Sequence, residues 1–142
     1  MIRVYGTSVA LRGEGILLRG PSGCGKSDLA LRLIDRGALL VADDQTELHA
    51  EDDEILMTAP ATIAGQIEVR GLGILQVPCV AAAPLRVVVD LTPAADIERM
   101  PEPRACRFFG RSVPVIMLAP FEASAVAKLR LAVQARIAPV AP

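Results

Sequence analysis

The chain has 142 residues, 52% of them hydrophobic, with a formal net charge of −1 at pH 7. This length is typical of a single domain with its own core, and we expect one domain over residues 1–142. The basic residues form no run and the longest uncharged segment, residues 71–85, is short and broken by prolines, so neither nucleic acid nor a membrane is expected as a partner. No signal peptide is recognisable, which predicts a cytoplasmic protein.

Two strands joined by a tight turn are predicted at the start of the chain. Val4 to Leu11 and Ile16 to Arg19 have strand patterns, and the turn residues Gly13-Glu14-Gly15 lie between them. The second strand leads directly into a glycine-rich segment.

Residues 20–27 match G-x-x-x-x-G-K-[ST] at every fixed position. Glycines allow the backbone to turn successive N–H groups inward, Lys26 can reach β- and γ-phosphates, and the Ser27 hydroxyl can ligate Mg²⁺. A glycine-rich turn alone is a weak signal, but this one stands between an apolar strand and an amphipathic segment, as the motif requires. The sequence therefore predicts a phosphate-binding and nucleotide-binding loop, formed by Gly20, Pro21, Ser22, Gly23, Cys24, Gly25, Lys26 and Ser27.

The cysteines predict neither disulfides nor a structural zinc site. Cys24, Cys79 and Cys106 are odd in number and fit no C-x-x-C pattern. Cys24 either fills a variable position of the loop or is an oxidisable thiol among the loop amides.

A helix and a short buried strand are predicted after the loop. Residues 28–36 have an apolar face at i,i+4 spacing, and Gly37 is a stop signal. The apolar run 38–42 then ends abruptly at Asp43 and Asp44. Paired acids at a strand end are often surface turn residues, but a neighbouring parallel strand would bring these beside Lys26, which favours a catalytic role.

The next elements are a hairpin and an alternating segment. Residues 45–49 and 55–59 predict a hairpin around an acidic turn, on which His49 has no metal-ligand spacing and is read as structural or solvated. In residues 65–74, Glu68 and Arg70 alternate with apolar residues and would share one face of a strand. This spacing fits a surface salt pair on an edge strand as well as a functional pair.

The remainder of the chain reads as scaffold. Strands are predicted over residues 85–91 and 113–118, a proline-rich and charged loop over 93–103, and a helix over 123–137, followed by a frayed tail over 138–142.

The loop, the helix after it, the Leu40-Val41-Ala42-Asp43-Asp44 strand end and the stretch 67–74 together resemble the HPr kinase/phosphorylase family. The resemblance runs from Val4 to the last helix and corresponds to the catalytic domain, without the separate N-terminal domain of longer members. It implies an α/β fold of the P-loop kinase type, related to PEP carboxykinase, with a mixed sheet and flanking helices. The implied activity is phosphorylation of a serine on a small phosphocarrier protein, HPr or a nitrogen-branch analogue, in regulation of the phosphotransferase system.

The resemblance also implies roles for individual residues. Lys26 matches the phosphate-binding lysine, Ser27 the first Mg²⁺ ligand and Glu68 the second. Asp44 matches the proton acceptor for the serine hydroxyl, with Asp43 beside it.

Two arginines complete the catalytic set that the resemblance implies. Arg70 belongs to the family's characteristic stretch, and Arg99 matches a catalytic arginine on a mobile loop in an alignment that needs a gap. Residues 117–122 fall where the family has a stretch implicated in dephosphorylation. ATP is the implied phosphoryl donor with Mg²⁺ as cofactor, pyrophosphate being the other possible donor, and a homo-oligomer, a hexamer, is the implied assembly.

One position departs from the family pattern. Tyr5 occupies a first-strand position that is usually histidine, and tyrosine titrates near pH 10 rather than near neutrality, which puts phosphorolytic removal of the phosphate in doubt. Two other classes stay open: a small-molecule P-loop kinase and a non-catalytic nucleotide-sensing module. A GTPase is disfavoured because the chain has no asparagine for its N-K-x-D motif.

Overall fold

A computed structural model describes residues 1–134 as an α/β fold, with β-strands along most of the chain and two α-helices. The strands are β1 (Ile2–Tyr5), β2 (Thr7–Leu11), β3 (Glu14–Arg19), β4 (Leu39–Ala42), β5 (Gln45–Glu51), β6 (Glu54–Thr58), β7 (Gln66–Val69), β8 (Gly73–Gln76), β9 (Ala82–Leu91), β10 (Arg104–Phe108) and β11 (Arg111–Leu118). The helices are α1 (Lys26–Asp35) and α2 (Ala125–Gln134).

Nine of the strands form one mixed sheet around β9. Its order is β1-β5-β6-β9-β3-β2-β4, and β11, which carries β10, also pairs with β9. Strands β3 and β11 run parallel to β9, whereas β6 runs antiparallel to it. Strands β7 and β8 form a separate two-stranded sheet. The mixed sheet and the P-loop kinase type of fold expected from the sequence are confirmed.

Both helices pack on the same face of the large sheet. Leu29 and Leu33 of α1 and Leu129 of α2 are fully buried in a core that includes Ile16 and Leu18 of β3. On the other face, Leu17 packs in a second cluster, which is supplied by β2, β4, β5, β6, β9 and β11. The glycine-rich loop, between β3 and α1, therefore follows a strand whose four central residues are buried and precedes a helix with a buried face.

The C-terminus of α1 follows its sequence signals. Gly37 has φ 101° and its N–H donates to Ile34 O at 2.9 Å, while the Ala38 N–H donates to Leu33 O at 3.0 Å. This left-handed closure ends the helix as predicted.

The first predicted strand is two strands. Gly6 separates β1, which pairs with β5, from β2, which pairs with β3 and β4. A Cβ at Gly6 would lie 2.8 Å from Leu17 Cδ1 and 2.9 Å from Leu18 O, so only glycine fits where the chain passes from one pairing to the other. The turn that follows is Arg12-Gly13, both with positive φ, rather than Gly13-Glu14-Gly15.

Three further expectations differ from the structure. Strand β4 is not a direct neighbour of β3, because β2 runs antiparallel between them. Arg70 lies just beyond β7, in the turn to β8, and strand β10 was not predicted at all. The predicted end of the last helix at residue 137 and the tail over 138–142 lie outside the described residues. No helix within residues 1–134 has the length and apolar character needed to cross a bilayer.

Candidate active site

The glycine-rich loop, residues 20–27, ends in the first turn of α1. Gly25 is the N-cap of α1 with φ 104°, and no side chain caps this helix within the described chain. The Cys24 N–H closes a turn onto Pro21 O at 3.1 Å. A helix N-terminus without a side-chain cap presents backbone N–H groups and a partial positive charge, which together suit an anion.

The Lys26 side chain folds back over the loop. Its ammonium donates to Gly20 O at 2.6 Å and to Pro21 O at 3.1 Å, and Cys24 Sγ lies 4.0 Å away. The positive charge is therefore held at the mouth of the loop by carbonyl acceptors, which an incoming phosphate can replace.

Asp43 connects the loop to two other strands. The carboxylate is 8% exposed, and its Oδ1 accepts from Ser27 Oγ at 2.7 Å and from Thr7 Oγ1 at 3.0 Å. Its Oδ2 accepts from the Glu68 backbone N–H at 3.0 Å. Asp43 thus brings together the end of β4, the start of α1, the start of β2 and strand β7. Three donors engage both of its oxygens, so this carboxylate holds these segments together. The catalytic role expected for Asp43 stays a prediction.

The neighbouring Asp44 has a different environment. It is exposed, and its backbone adopts φ 68°, in the left-handed region that aspartate tolerates better than most residues. Its carbonyl accepts from the Gly6 N–H at 2.8 Å. Among residues 1–134 its side chain makes no hydrogen bond or ion pair, so the carboxylate is available at the surface next to the Ser27–Asp43 pair.

Thr7 is a site residue that sequence reasoning missed. This fully buried hydroxyl donates to Asp43 Oδ1 and accepts from the Asp44 N–H at 3.1 Å, so it fixes both acids at the end of β4. The only sequence signal is its position, at the start of the strand beside β4.

Of the three other predicted site residues, the structure brings one into the hydrogen-bonded cluster around Asp43. Glu68 is exposed on β7 and its backbone is bonded to Asp43, so it belongs to the same cluster as Ser27. Arg70 and Arg99 are exposed, Arg99 in the segment between β9 and β10. Neither makes a hydrogen bond or ion pair to another site residue in the described chain, so the catalytic role expected for each stays a prediction.

Tyr5, the residue that departs from the family pattern, lies beside the acids. It pairs with Gln45 at the end of β1, is 78% exposed, and precedes the residue whose N–H is bonded to Asp44 O. The backbone of Tyr5 is therefore a neighbour of the strand end that carries the two acids.

An ion pair stands immediately before the loop. Arg19 Nε donates to Asp90 Oδ1 at 2.8 Å and its Nη2 donates to Oδ2 at 3.0 Å, which joins the ends of the parallel strands β3 and β9. The hydrogen bond to Asp90 raises the pKa of the Arg19 guanidinium, outweighing the opposing effect of burial. Nearby on β10, burial raises the pKa of the Cys106 thiol above its ordinary value.

The donor set around Ser27 fits Mg²⁺. Ser27 and Glu68 carry side-chain oxygens, the ligand type that Mg²⁺ prefers, and the Ser27 proton points to Asp43, which leaves the hydroxyl lone pairs for a cation. No group of three His, Cys, Asp or Glu side chains suited to a metal occurs in residues 1–134. A magnesium ion held by few protein ligands together with substrate phosphates needs no such group.

These features define a P-loop kinase fold in which a G-x-x-x-x-G-K-[ST] loop is bonded through its serine to an aspartate at a strand end. The family model described as the HPr Serine kinase C-terminal domain matches residues 1–92. The chain belongs to this family.

Individual relatives agree with this assignment. The HPr kinase/phosphorylase of Clostridium tetani is 46% identical over 76 residues, 54% of this chain and 25% of that protein. That of Bacillus cereus strain B4264 is 47% identical over 75 residues, 52% of this chain and 24% of that protein. The solved structure of the Hpr(Ser) kinase/phosphatase from Coxiella burnetii superposes with a TM-score of 0.85 at 25% identity, covering 96% of this chain and 91% of that one. The match spans about a quarter of the length of the two curated relatives.

Proposed function

We propose that the chain is a single HPr kinase catalytic-type domain that transfers the γ-phosphoryl group of ATP to a serine of a small phosphocarrier protein, HPr or a nitrogen-branch analogue. In this role it regulates the phosphotransferase system. The observation that carries the proposal is the adjacency of two different acids. Asp43 accepts from three donors, one of them the loop serine, while the Asp44 side chain beside it is exposed and makes no hydrogen bond within the described chain. This arrangement suits phosphoryl transfer, because one acid fixes the loop serine and the other is free to accept a proton.

In this proposal each site residue has its own role in an in-line transfer of the phosphoryl group. The amides of the glycine-rich loop and Lys26 hold the β- and γ-phosphates and neutralise charge, which supplies most of the catalysis in reactions of this type. Asp44 accepts the proton of the acceptor serine as its oxygen attacks phosphorus, and ADP leaves. Arg70 and Arg99 steady the charge of the transferring group when the acceptor is docked.

Magnesium is the cofactor in this proposal. Ser27 and Glu68 would hold it, and it would offset the negative charge of the phosphates. Asp43 orients Ser27 through the 2.7 Å hydrogen bond and fixes β7, the strand that carries Glu68. The site therefore presents its oxygen ligands on a rigid frame.

The relatives carry both kinase and phosphorylase in their names, and for this chain we propose that the kinase direction dominates. In phosphorolysis inorganic phosphate attacks the phosphorus of phosphoserine, the bond from phosphorus to the serine oxygen breaks, and pyrophosphate and the free serine hydroxyl are formed. The serine oxygen takes up a proton as it leaves, so a group that carries protons near neutral pH helps the reaction. Tyr5 supplies a phenol at the position where the family pattern has an imidazole, the side chain suited to that proton transfer.

The cellular setting follows from the same assignment. We propose a cytoplasmic enzyme, supported by three free cysteines without a disulfide pattern. We also propose a homo-oligomer, a hexamer by family resemblance, supported by the apolar side chains that the β7–β8 sheet and the turn between its strands expose, Leu72, Ile74 and Leu75.

The test is a transfer assay with γ-labelled ATP, Mg²⁺ and purified HPr, with HPr in which the acceptor serine is replaced by alanine as control. Label should appear on the serine protein alone. Label transfer to small acceptors instead would indicate a small-molecule kinase, and nucleotide binding without transfer to any acceptor would indicate a sensing module.

A further inference from the structure

An exposed aromatic ring stands directly beside the glycine-rich loop. Phe121 lies between β11 and α2 and is 70% exposed. A Cβ at Gly25 would come within 2.8 Å of Phe121 Cζ and 3.3 Å of both its Cε atoms. The tip of the ring therefore rests against the loop backbone at the residue before Lys26, while most of the ring faces solvent.

The ring is held there by α1, the helix that begins in the loop. The Arg32 guanidinium donates to Pro120 O at 2.5 Å and to Asp28 Oδ2 at 3.0 Å. Pro120 is buried, so the backbone that carries Phe121 is fixed to the helix rather than free in solution. Any ligand bound in the loop therefore meets the ring in a defined place.

Two ion pairs involve residues next to the segment that carries the ring. Asp28 is bonded to Arg32, which also donates to Pro120 O, and Lys128 donates to Glu122, the residue after Phe121, at 2.7 Å. A surface of this kind, apolar in the centre with neutralised charges around it, favours a flat and uncharged partner. The base of a nucleotide has that chemistry, and its aromatic faces stack on exposed rings.

We propose that Phe121 is a stacking platform for the base of a nucleoside triphosphate, and hence that the phosphoryl donor is a nucleotide rather than pyrophosphate. This inference rests on the proposed function, because it takes the phosphates to lie in the loop. Loop amides and Lys26 recognise phosphate alone and do not distinguish ATP from inorganic polyphosphate. The distinguishing contact must come from outside the loop, and the base, tethered through its own phosphates, is held beside the ring at high effective concentration.

The experiment compares Mg·ATP with Mg·tripolyphosphate, which presents three linked phosphates without a nucleoside. Dissociation constants are measured by calorimetry for the wild type, Phe121→Ala, Phe121→Tyr and Lys26→Ala. Phe109→Ala is the matched control, since Phe109 is a 40% exposed phenylalanine in the turn between β10 and β11. Because Phe121 is largely exposed, its replacement should leave the unliganded melting temperature close to that of the wild type.

The wild type should bind Mg·ATP more tightly than Mg·tripolyphosphate. Phe121→Ala should weaken Mg·ATP binding by about tenfold to a hundredfold and leave tripolyphosphate binding unchanged, the range expected when one stacked base loses its aromatic partner. Phe121→Tyr should restore ATP binding, and Phe109→Ala should change neither ligand.

Two results would overturn the inference while leaving the loop assignment intact: equal affinity of the wild type for both ligands, or equal weakening of both by Phe121→Ala, which would make the ring a support for the loop. If the wild type binds neither ligand, or if Lys26→Ala changes neither affinity, the proposed function fails and the inference fails with it.

Discussion

The Ser27 hydroxyl donates to Asp43 Oδ1 at 2.7 Å and thereby ties the first turn of α1 to the end of β4. These two residues are 16 positions apart in the chain, and β2 lies between the strands that lead to them. The bond fixes the side chain proposed to ligate Mg²⁺ and, since Asp43 precedes Asp44, it also fixes the residue proposed as proton acceptor.

The two neighbouring acids should respond differently to the same substitution. Asp43→Asn leaves three donors facing a single acceptor oxygen and an NH₂ group, so the free energy of unfolding should fall by about 1–3 kcal/mol. That loss corresponds to a melting temperature lower by about 3–10 °C in a domain of this size. Asp44→Asn, at an exposed position that asparagine tolerates, should stay within about 0.5 kcal/mol of the wild type. Thermal denaturation of both variants checks this, and equal stability would contradict the structural role of Asp43.

Lys26 should be needed for stabilisation by phosphate ligands. Mg·ATP or Mg·pyrophosphate at a hundred times its dissociation constant should add about 2.7 kcal/mol, a melting shift of roughly 10 °C. Lys26→Ala should remove most of that shift. The chain has two lysines, and Lys128→Ala is the matched control that should keep the shift. An unchanged melting temperature of the wild type in the presence of saturating ligand would count against a phosphate-binding loop.

Cys106 should react slowly with thiol reagents. Burial raises the pKa of its thiol above the ordinary value of 9.0, so the folded state keeps its proton to higher pH than the unfolded state does. Stability from this group is complete below about pH 9.0 and declines as the pH rises through the raised value. Mass spectrometry after iodoacetamide treatment at pH 8 should find exposed Cys79 alkylated first. Faster modification of Cys106 than of Cys79 at that pH would contradict the buried environment.

Tyr5 should limit the reverse reaction. Tyr5→His places a group that titrates near neutrality beside Asp44, so release of pyrophosphate from serine-phosphorylated carrier should rise while forward transfer changes only modestly. The assay varies the phosphate concentration and compares proteins with matched melting temperatures. Rapid release by the wild type that Tyr5→His fails to increase would show that this position does not set the direction.

Much of the fold could be predicted because its signals are local. The loop motif, the apolar face of α1 and the Gly37 stop each lie within a few residues, and the α/β class and the family follow from their order. The break at Gly6 could not be read in this way, because its cause is contact with Leu17 and Leu18 on another strand. Strand β10 was missed because its alternation is weak: its residues are exposed or half-buried along its whole length.

In the candidate site, too, the local features could be predicted from the sequence and the contacts between distant elements could not. Sequence motifs mark Lys26, Ser27 and the two acids. The difference between the environments of Asp43 and Asp44 depends on hydrogen-bond donors from three other elements, which the sequence does not show. Thr7 contributes to that arrangement through a single buried hydroxyl, and no sequence period marks it. The roles of Glu68, Arg70 and Arg99 remain predictions, and the structure brings only Glu68 into the hydrogen-bonded cluster.

The proposed role of Asp44 as proton acceptor is tested most directly by the initial rate of phosphoryl transfer from ATP to the carrier serine in Asp44→Asn. Asp53→Asn, the same change in the exposed turn between β5 and β6, is the matched control. Asp44→Asn should transfer phosphate about 10²- to 10⁴-fold more slowly than the wild type, with nucleotide affinity and melting temperature nearly unchanged, and Asp53→Asn should keep the wild-type rate. Transfer by Asp44→Asn at the wild-type rate would contradict the proposed role of Asp44, because the proton would then be accepted elsewhere.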